Sequence, residues 1–545
     1  MNLFEKILVA RGLTTRAVRE AFLQPDYMAV KHDPFLLPDM KKAVARLKQA
    51  REQGEKIVIY GDYDIDGLSA TALLLDAFGK FGFEDVDAFI PNRFVEGYGM
   101  TMGAVDKVRD MGADLIVTVD TGSLCHAEIA YATSLGIDTV VTDHHNVAET
   151  PPPSVAAVNP KFPGHTYPFR DLCGAGVAFK LVQALQTELD GLPDGYEKWL
   201  LDLVALGTVC DIVTLADENR ANVYWGLEVL KKQQRPGLKA LMAVAGIEPE
   251  QVNARHLGFG LGPRMNAAGR LETAQHALDM LVACNGMEAL AASEKLEELN
   301  TKRRGIQDAI FEEACVQAEE LADDRVLVVS SDGWNHGVIG IVASKLVEKY
   351  KKPVFIIGER GEEATGSARS FGDFSAADAV RAADDIIIKG GGHGAAAGVT
   401  LETEKIGDFR RRVNEFYDSL QLTNQERYLL PRADVEIDDF SEITEELIEN
   451  LAKMEPFGNG NPEPVLTIAR ASVLSMRRMG ADGQHVKLAL RDKNGKVLQM
   501  LAFNAPEEFF REPGDEVVAW FQPVVNEWQG VRTVEGRLLH IILLD

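Results

Sequence analysis

Residues 56–78 run Lys56-Ile-Val-Ile-Tyr60-Gly-Asp62-Tyr-Asp64-Ile-Asp66-Gly67-Leu-Ser-Ala-Thr-Ala-Leu-Leu-Leu-Asp-Ala-Phe78. The apolar run from Ile57 to Tyr60 predicts a short buried strand. Gly67 breaks the acidic loop, and the stretch from Leu68 predicts a helix. Further strands are predicted over 114–119 and 138–142, with helical segments over 102–111 and 126–135. Strand alternating with helix implies βαβ units and a mainly parallel sheet. In such a sheet, ligands bind beyond the carboxyl ends of the strands.

Seven residues are expected at strand ends or helix termini: Asp62, Asp64, Asp66, Asp120, His144, His145 and Asp211. Asp120 follows the 114–119 strand, the His144-His145 pair follows the 138–142 strand, and Asp211 ends the apolar helix that begins near Trp199. Alternate residues of an extended segment point the same way. Asp62, Asp64 and Asp66 therefore repel one another unless cations lie between them. Carboxylates with imidazoles suit two divalent cations, Mn²⁺ or Mg²⁺, and such a pair points to metal-assisted phosphoester hydrolysis. Singly, each has a plainer reading: a solvated acidic loop, a helix N-cap at Asp120, a helix cap at Asp211. Asp62 to Gly67 also matches the start of an EF-hand loop, but the twelfth loop position is Leu73 and no helix precedes it. The joint occurrence of these residues after successive strands favours the metal.

A second α/β unit is expected: strand 325–330, helix 340–350 and strand 353–357. It contains Ser367 and Arg369 at alternate positions, able to grip a phosphate together. It also contains the glycine run 390–392 with His393, which reads either as a phosphate-contacting backbone or as a tight turn before a helix. Gly262-Pro-Arg-Met-Asn-Ala-Ala-Gly-Arg270 holds Arg264 and Arg270, as phosphate clamps or as ion-pair partners. From about 465, short alternating strands with turns at 480–483 and 492–495 predict a small β-barrel.

With 545 residues the chain exceeds one core, so two to four domains are expected. The fold class is α/β: a parallel-sheet domain and a second α/β domain joined by a long helix, plus a C-terminal OB-type β-barrel. The expected boundaries are 1–50 for a helical lead-in, 51–285 for the first domain, 286–324 for the connecting helix, 325–420 for the second domain, and 421–545 for an acidic linker and the barrel. Five widely spaced cysteines with no Cys-x-x-Cys pair suggest reduced thiols and a cytoplasmic location. No run approaches the roughly 20 apolar residues of a membrane span, and the N-terminus lacks a signal pattern. A net charge of −26 argues against bulk nucleic-acid affinity. Any basic surface must be local, and 465–500 carries seven cations against two carboxylates. The segment 434–455 before it holds nine acidic residues and only Lys453, and that contrast reads equally as a domain boundary or as two solvated faces.

The motifs Asp-Tyr-Asp-x-Asp-Gly, Val-Asp-x-Gly, Asp143-His-His and Gly-Thr-Val-x-Asp211 resemble the DHH phosphoesterases, and Gly391-Gly-His-x-x-Ala-Ala-Gly398 resembles their companion DHHA1 domain. Further segments resemble the single-strand-specific 5′→3′ DNA exonuclease branch: His32-Asp-Pro-Phe-Leu36, the 91–99 segment, Cys173-Gly-Ala-Gly-Val-Ala-Phe179, 261–271 and His336-Gly-Val-Ile-Gly340. The resemblance covers nearly the whole chain. It implies one metal on Asp62 and Asp64, and the other on Asp66, His144 and Asp211, with Asp120 bridging. It places His145 on the scissile phosphate and Asp143 behind it. It implies terminal-phosphate binding by Arg93, Arg264, Arg270, Ser367, Arg369 and His393, and a cleft that admits only a single strand. It further implies a monomer acting in DNA repair and recombination, with a helicase and a single-strand-binding protein as partners and no membrane. Thr121 and Cys210 depart from the residues common in relatives, which is expected to touch metal preference only. Two other readings are a short-oligonucleotide or cyclic-dinucleotide phosphodiesterase, in which the barrel is unexpected, and a non-catalytic scaffold, in which metal ligands are typically lost.

Overall fold

The computed structural model describes residues 1–97, 99–423, 425–528 and 530–544; Tyr98 of the 91–99 motif lies outside them. Five strands form the first sheet: β1 (Ile57–Gly61), β2 (Val86–Phe89), β3 (Leu115–Val119), β4 (Asp138–Thr142) and β5 (Ala156–Val158). All are parallel, in the order β2-β1-β3-β4-β5. β1 and β3 are buried along their whole length, as a sheet covered on both faces requires. Ile57, Ile59, Leu115 and Val117 pack towards the helices Ile65–Phe81, Gly174–Leu185 and Leu201–Cys210. Val58, Tyr60 and Ile116 face Met102–Asp110 and His126–Ser134. The strand order reverses between β1 and β3, so the crevice at their carboxyl ends is the topological switch point. The short strands β2 and β5 have no clear sequence signal, since four residues with none buried and three small residues fall below a readable period.

The second sheet comprises β6 (Leu327–Asp332), β7 (Val354–Arg360), β8 (Glu363–Arg369), β9 (Ile387–His393) and β10 (Ala396–Glu402), in the order β6-β7-β8-β10-β9. Only β6 and β7 run parallel; the other pairs are antiparallel. The glycines 390–392 lie in the edge strand β9 of a hairpin, not in a turn before a helix. The connector is one 35-residue helix, Gly286–Glu320, continuous through Gly305. A glycine inside a helix costs about 1 kcal/mol against alanine, and packing at Ile310, Ala314 and Ala318 offsets that here.

The third sheet contains β11 (Val435–Ile437), β12 (Leu466–Met479), β13 (His485–Arg491), β14 (Val497–Ala502), β15 (Glu516–Trp528) and β16 (Val531–Leu543). β12 pairs with β13 and with β15, which closes five strands into a barrel. The lead-in does not belong to the 40–53 helix that follows it. Leu3, Ile7 and Leu8 of the helix Leu3–Ala10 are buried in the barrel's core with Ile437, Leu447 and Leu466. Arg11 fastens this arm to Asp434 at 2.7 Å. The basic stretch 465–500 is largely neutralised by ion pairs Arg470–Glu516, Arg478–Glu507, Lys487–Glu535 and Lys493–Asp438. Among the described residues, no helix is long and apolar enough to cross a membrane.

Candidate active site

All seven predicted residues meet at the switch point. Asp62 follows β1. Asp64 caps the helix Ile65–Phe81, accepting from the amides of Asp66 at 2.9 Å and Gly67 at 3.2 Å. Asp66 stands in the first turn of that helix, and its oxygens accept from the amides of Gly174 (2.5 Å) and Ala175 (2.8 Å). These amides open the helix Gly174–Leu185, whose positive end favours a carboxylate. Asp120 follows β3 in the left-handed region, φ 61°, a conformation that aspartate tolerates better than most residues. Asp211 caps the C-terminal end of the helix Leu201–Cys210.

Three glycines make room for the carboxylates. A Cβ at Gly174 would stand 2.5 Å from Asp120 Cβ and 2.6 Å from its Oδ1; one at Gly207 would stand 2.4 Å from Asp66 Oδ1; one at Gly67 would meet the Asp62 backbone at 2.6 Å. The motifs contain these glycines, but only Gly67 has a legible role there, as a breaker, because a close approach between distant segments has no local signature.

His144 Nε2 lies 3.0 Å from Asp120 Oδ1, 3.5 Å from Asp211 and 3.8 Å from Asp66. Ligand atoms of Asp62, Asp64 and Asp120 lie within 4.8 Å of one another, as do those of Asp66, His144 and Asp211, and those of Asp120, His144 and His145. Asp62 Oδ1, Asp120 Oδ1 and His144 Nε2 are buried and make no well-aligned hydrogen bond, although the last two lie 3.0 Å apart, a state protein interiors rarely permit. Burial and the charge of Asp64 push Asp62 and Asp66 up to about 7. Burial and Asp66 push Asp211 up to about 7 and raise Asp120 as well. Burial also lowers His144, favouring the neutral imidazole that ligates metals. Crowded carboxylates, orphaned donor atoms and a neutral histidine are what a pair of divalent cations would satisfy.

Asp143 does not join this set. Its Oδ1 accepts from the His144 amide (2.7 Å), the His145 amide (3.1 Å) and His145 Nδ1 (2.9 Å), and its Oδ2 from the Ser123 amide (2.9 Å). Burial alone would raise Asp143, but these bonds hold it below the usual carboxylate range. Burial opposes a proton on His145, yet its bond to Asp143 prevails and raises it to about 9.

The predicted phosphate-binding residues separate into groups. Arg93 stacks on the Tyr63 ring, 4.4 Å from its centroid. Arg270 donates to the Gly337 carbonyl at 2.8 Å. Burial, then the nearby Arg93, Arg303 and Arg369, lower its pKa to about 10. Arg369 donates to Ser367 Oγ at 3.1 Å, beside the N-terminus of the helix Ile339–Tyr350, where a Cβ at Gly340 would lie 3.0 Å from Ser367 Oγ. Arg303, on the connector helix, was missed: it is 8% exposed and held by the neutral Asn300 and Gln307, and nothing in a charged helical sequence marks it. Arg264 pairs with Glu297 at 2.5 Å and donates to the Gly260 carbonyl at 2.7 Å. His393 is exposed at the end of β9; Ala396 pairs with both His393 and Arg369, placing them on one face two strands apart.

A buried carboxylate and imidazole cage at the switch point, with an arginine cluster drawn from the first domain, the connecting helix and the second α/β domain, defines a DHH phosphoesterase. The family model for the DHH family, N-terminal domain, matches residues 56–208, that of the DHHA1 domain 323–419, and that of the RecJ OB domain 433–540. The chain belongs to the RecJ family. It is 39% identical over 533 residues to the single-stranded-DNA-specific exonuclease RecJ of Bacillus subtilis, covering 96% of this chain and 66% of that protein. It is 35% identical over 526 residues to the Escherichia coli enzyme of the same name, covering 92% of this chain and 89% of that one. The crystal structure of RecJ in complex with Mn²⁺ from Thermus thermophilus is similar with a TM-score of 0.83 at 30% identity, over 99% of this chain and 76% of that one. The corresponding Mg²⁺ complex gives 0.76 at 28% identity, over 98% and 74%.

Proposed function

We propose that this protein is a single-strand-specific 5′→3′ DNA exonuclease that hydrolyses phosphodiesters and releases 5′-mononucleotides. The observation that carries the reading is the double cage: Asp62, Asp64 and Asp120 on one side, Asp66, His144 and Asp211 on the other. Asp120 would bridge the two sets. Mn²⁺ or Mg²⁺ held there would supply Lewis-acid neutralisation of the phosphate and of the leaving oxygen. The chain's own residues do the rest. The amides of Gly174 and Ala175 hold Asp66 in place. Asp143 orients His145, 39% exposed at the mouth of the cage, where its ring would meet the scissile phosphate. Arg93, Arg270, Ser367 and Arg369 would bind the strand's terminal phosphate across the cleft, and Arg pairs suit that geometry.

The family relation supports a single DNA strand as substrate. In the same reading the protein acts as a cytoplasmic monomer in repair and recombination, on strands opened by a helicase and presented by a single-strand-binding protein. The test is incubation of 5′-labelled single strands, duplexes and RNA with Mn²⁺. Single DNA strands should release mononucleotides, and Asp120→Ala should release none. Equal turnover by the variant, or a preference for dinucleotides over long strands, defeats the reading.

A further inference from the structure

The turn that carries Asp211 also forms one wall of a cleft of about 620 Å³ whose lining the metal cage does not account for. That volume is within the roughly 300–1,000 Å³ of ordinary ligand sites. The cleft lies beside the cage: Ile65 and Cys210, chain neighbours of Asp64, Asp66 and Asp211, line it. Its outer wall is a π-helix, His256–Leu261, a geometry that is rare and concentrates at functional sites. This helix is packed against the Asp211 turn: a Cβ at Gly262 would lie 3.1 Å from Cys210 Sγ, and one at Gly258 would lie 3.6 Å from Val209.

From the π-helix, between Gly258 and Gly260, Phe259 projects with 81% of its surface exposed. Single exposed apolar side chains are ordinary. Here, however, Ile212 of the adjoining Asp211 turn is 70% exposed and sits at φ 59°, which is strained for a β-branched residue. Phe457, from the segment leading to the barrel, completes an apolar surface along the same cleft. The charged lining is one-sided: Arg255, Arg270 and Arg303 are cations, and the one lining carboxylate, Glu463, is paired with Arg537. In a chain of net charge −26, a cleft with aromatic walls and unneutralised guanidinium groups selects a ligand that is flat, apolar-faced and anionic. A nucleotide of a single strand has that chemistry, since bases stack on aromatic rings while cations follow the backbone.

We infer that Phe259 is the stacking platform for a base of the strand adjacent to the phosphate being cut, with Arg255 at the rim of the cleft against the backbone. This rests on the exonuclease reading above and adds a positioning residue that the metal cage and the terminal-phosphate arginines do not include. The base seated here fixes the register of the strand over the cage.

The test is a walk of a single abasic site through the first nucleotides of a single strand, with wild type and with Phe259→Ala and Phe259→Trp. Phe259 is too exposed for either change to disturb folding. In the wild type one abasic position should raise KM by about tenfold, the size of one lost stacking contact. In Phe259→Ala the intact strand should show that same rise, kcat should hold within about twofold, and the abasic position should add nothing further; Phe259→Trp should restore both the low KM and the abasic penalty. A wild-type enzyme that degrades the strand while Phe259→Ala keeps its KM, or keeps the abasic penalty, overturns the inference alone. Failure of the wild type to degrade any single strand overturns the exonuclease reading and this inference with it.

Discussion

At Gly174 a single hydrogen atom decides whether the cage can exist. A methyl group there would stand 2.5–2.7 Å from three atoms of Asp120, far inside contact distance, and overpacking of this kind costs about 1–3 kcal/mol. Gly174→Ala should therefore lower stability by that amount while reducing activity and Mn²⁺ affinity by far more than the melting temperature suggests. Calorimetric titration with Mn²⁺ reads this directly, and unchanged affinity would show the carboxylate is not displaced. At Asp143 the effect is protonic. It raises His145 to about 9, so a function that needs the protonated ring is retained below that pH and lost as pH rises through it. Asp143→Asn should move this alkaline limb towards the ordinary histidine value of about 6.5 and cost roughly 10–100-fold in activity, the usual effect of removing an orienting partner. A pH–rate profile for the variant that coincides with the wild type would refute the role.

At the scale of elements, four loops are brought to one crevice by the 2-1-3-4-5 strand order and by the end of a buried helix. Their carboxylates suffer for it. Asp62, Asp66 and Asp211 titrate near 7 in the folded chain, against about 4 when unfolded. With the folded values raised, the metal-free fold holds their stabilising protons fully below pH about 4 and loses that stability as pH rises through 7. Cations replace those protons. The increase in melting temperature on adding Mn²⁺ should therefore be larger at pH 8 than at pH 5.5, measured by calorimetry with and without chelator. Equal increments at both pH values would mean that these carboxylates are not the ligands. The βαβ pattern and the strand-end positions of Asp62 and Asp120 were legible because strict apolar runs precede them. The strand β9 has no such signal, because glycines announce a turn more readily than an edge strand.

Across the whole molecule the chain's two ends are one unit. Leu3, Ile7 and Leu8 are buried among barrel residues. Arg220 of the first domain donates to the carbonyls of Phe22, Met454, Glu455 and Pro456. Removing residues 433–545 alone should leave the first 23 residues without a core, and the product should aggregate; removing them together with residues 1–23 should restore a monodisperse protein. Arg220→Ala should strip four carbonyls of their donor at a cost of about 2–4 kcal/mol, and turn denaturant unfolding from one transition into two as the barrel uncouples. A single transition with unchanged midpoint would show that the clamp carries no load.

Short stretches of the chain carry the local facts: buried strands, the acidic and histidine motifs at their ends, the change to short alternating strands after 465, and the family these motifs belong to. Each is written in neighbouring residues, where periodicity and residue type act directly. Tertiary structure alone decided which glycine faces which carboxylate, that Arg264 serves an ion pair while Arg303 joins the cationic cluster, and that the N-terminal helix completes the C-terminal barrel. It also decided that most of the basic stretch is spent on neighbouring acids. These depend on contacts between segments tens to hundreds of residues apart, set by the packing of whole elements, and no short window of sequence contains them.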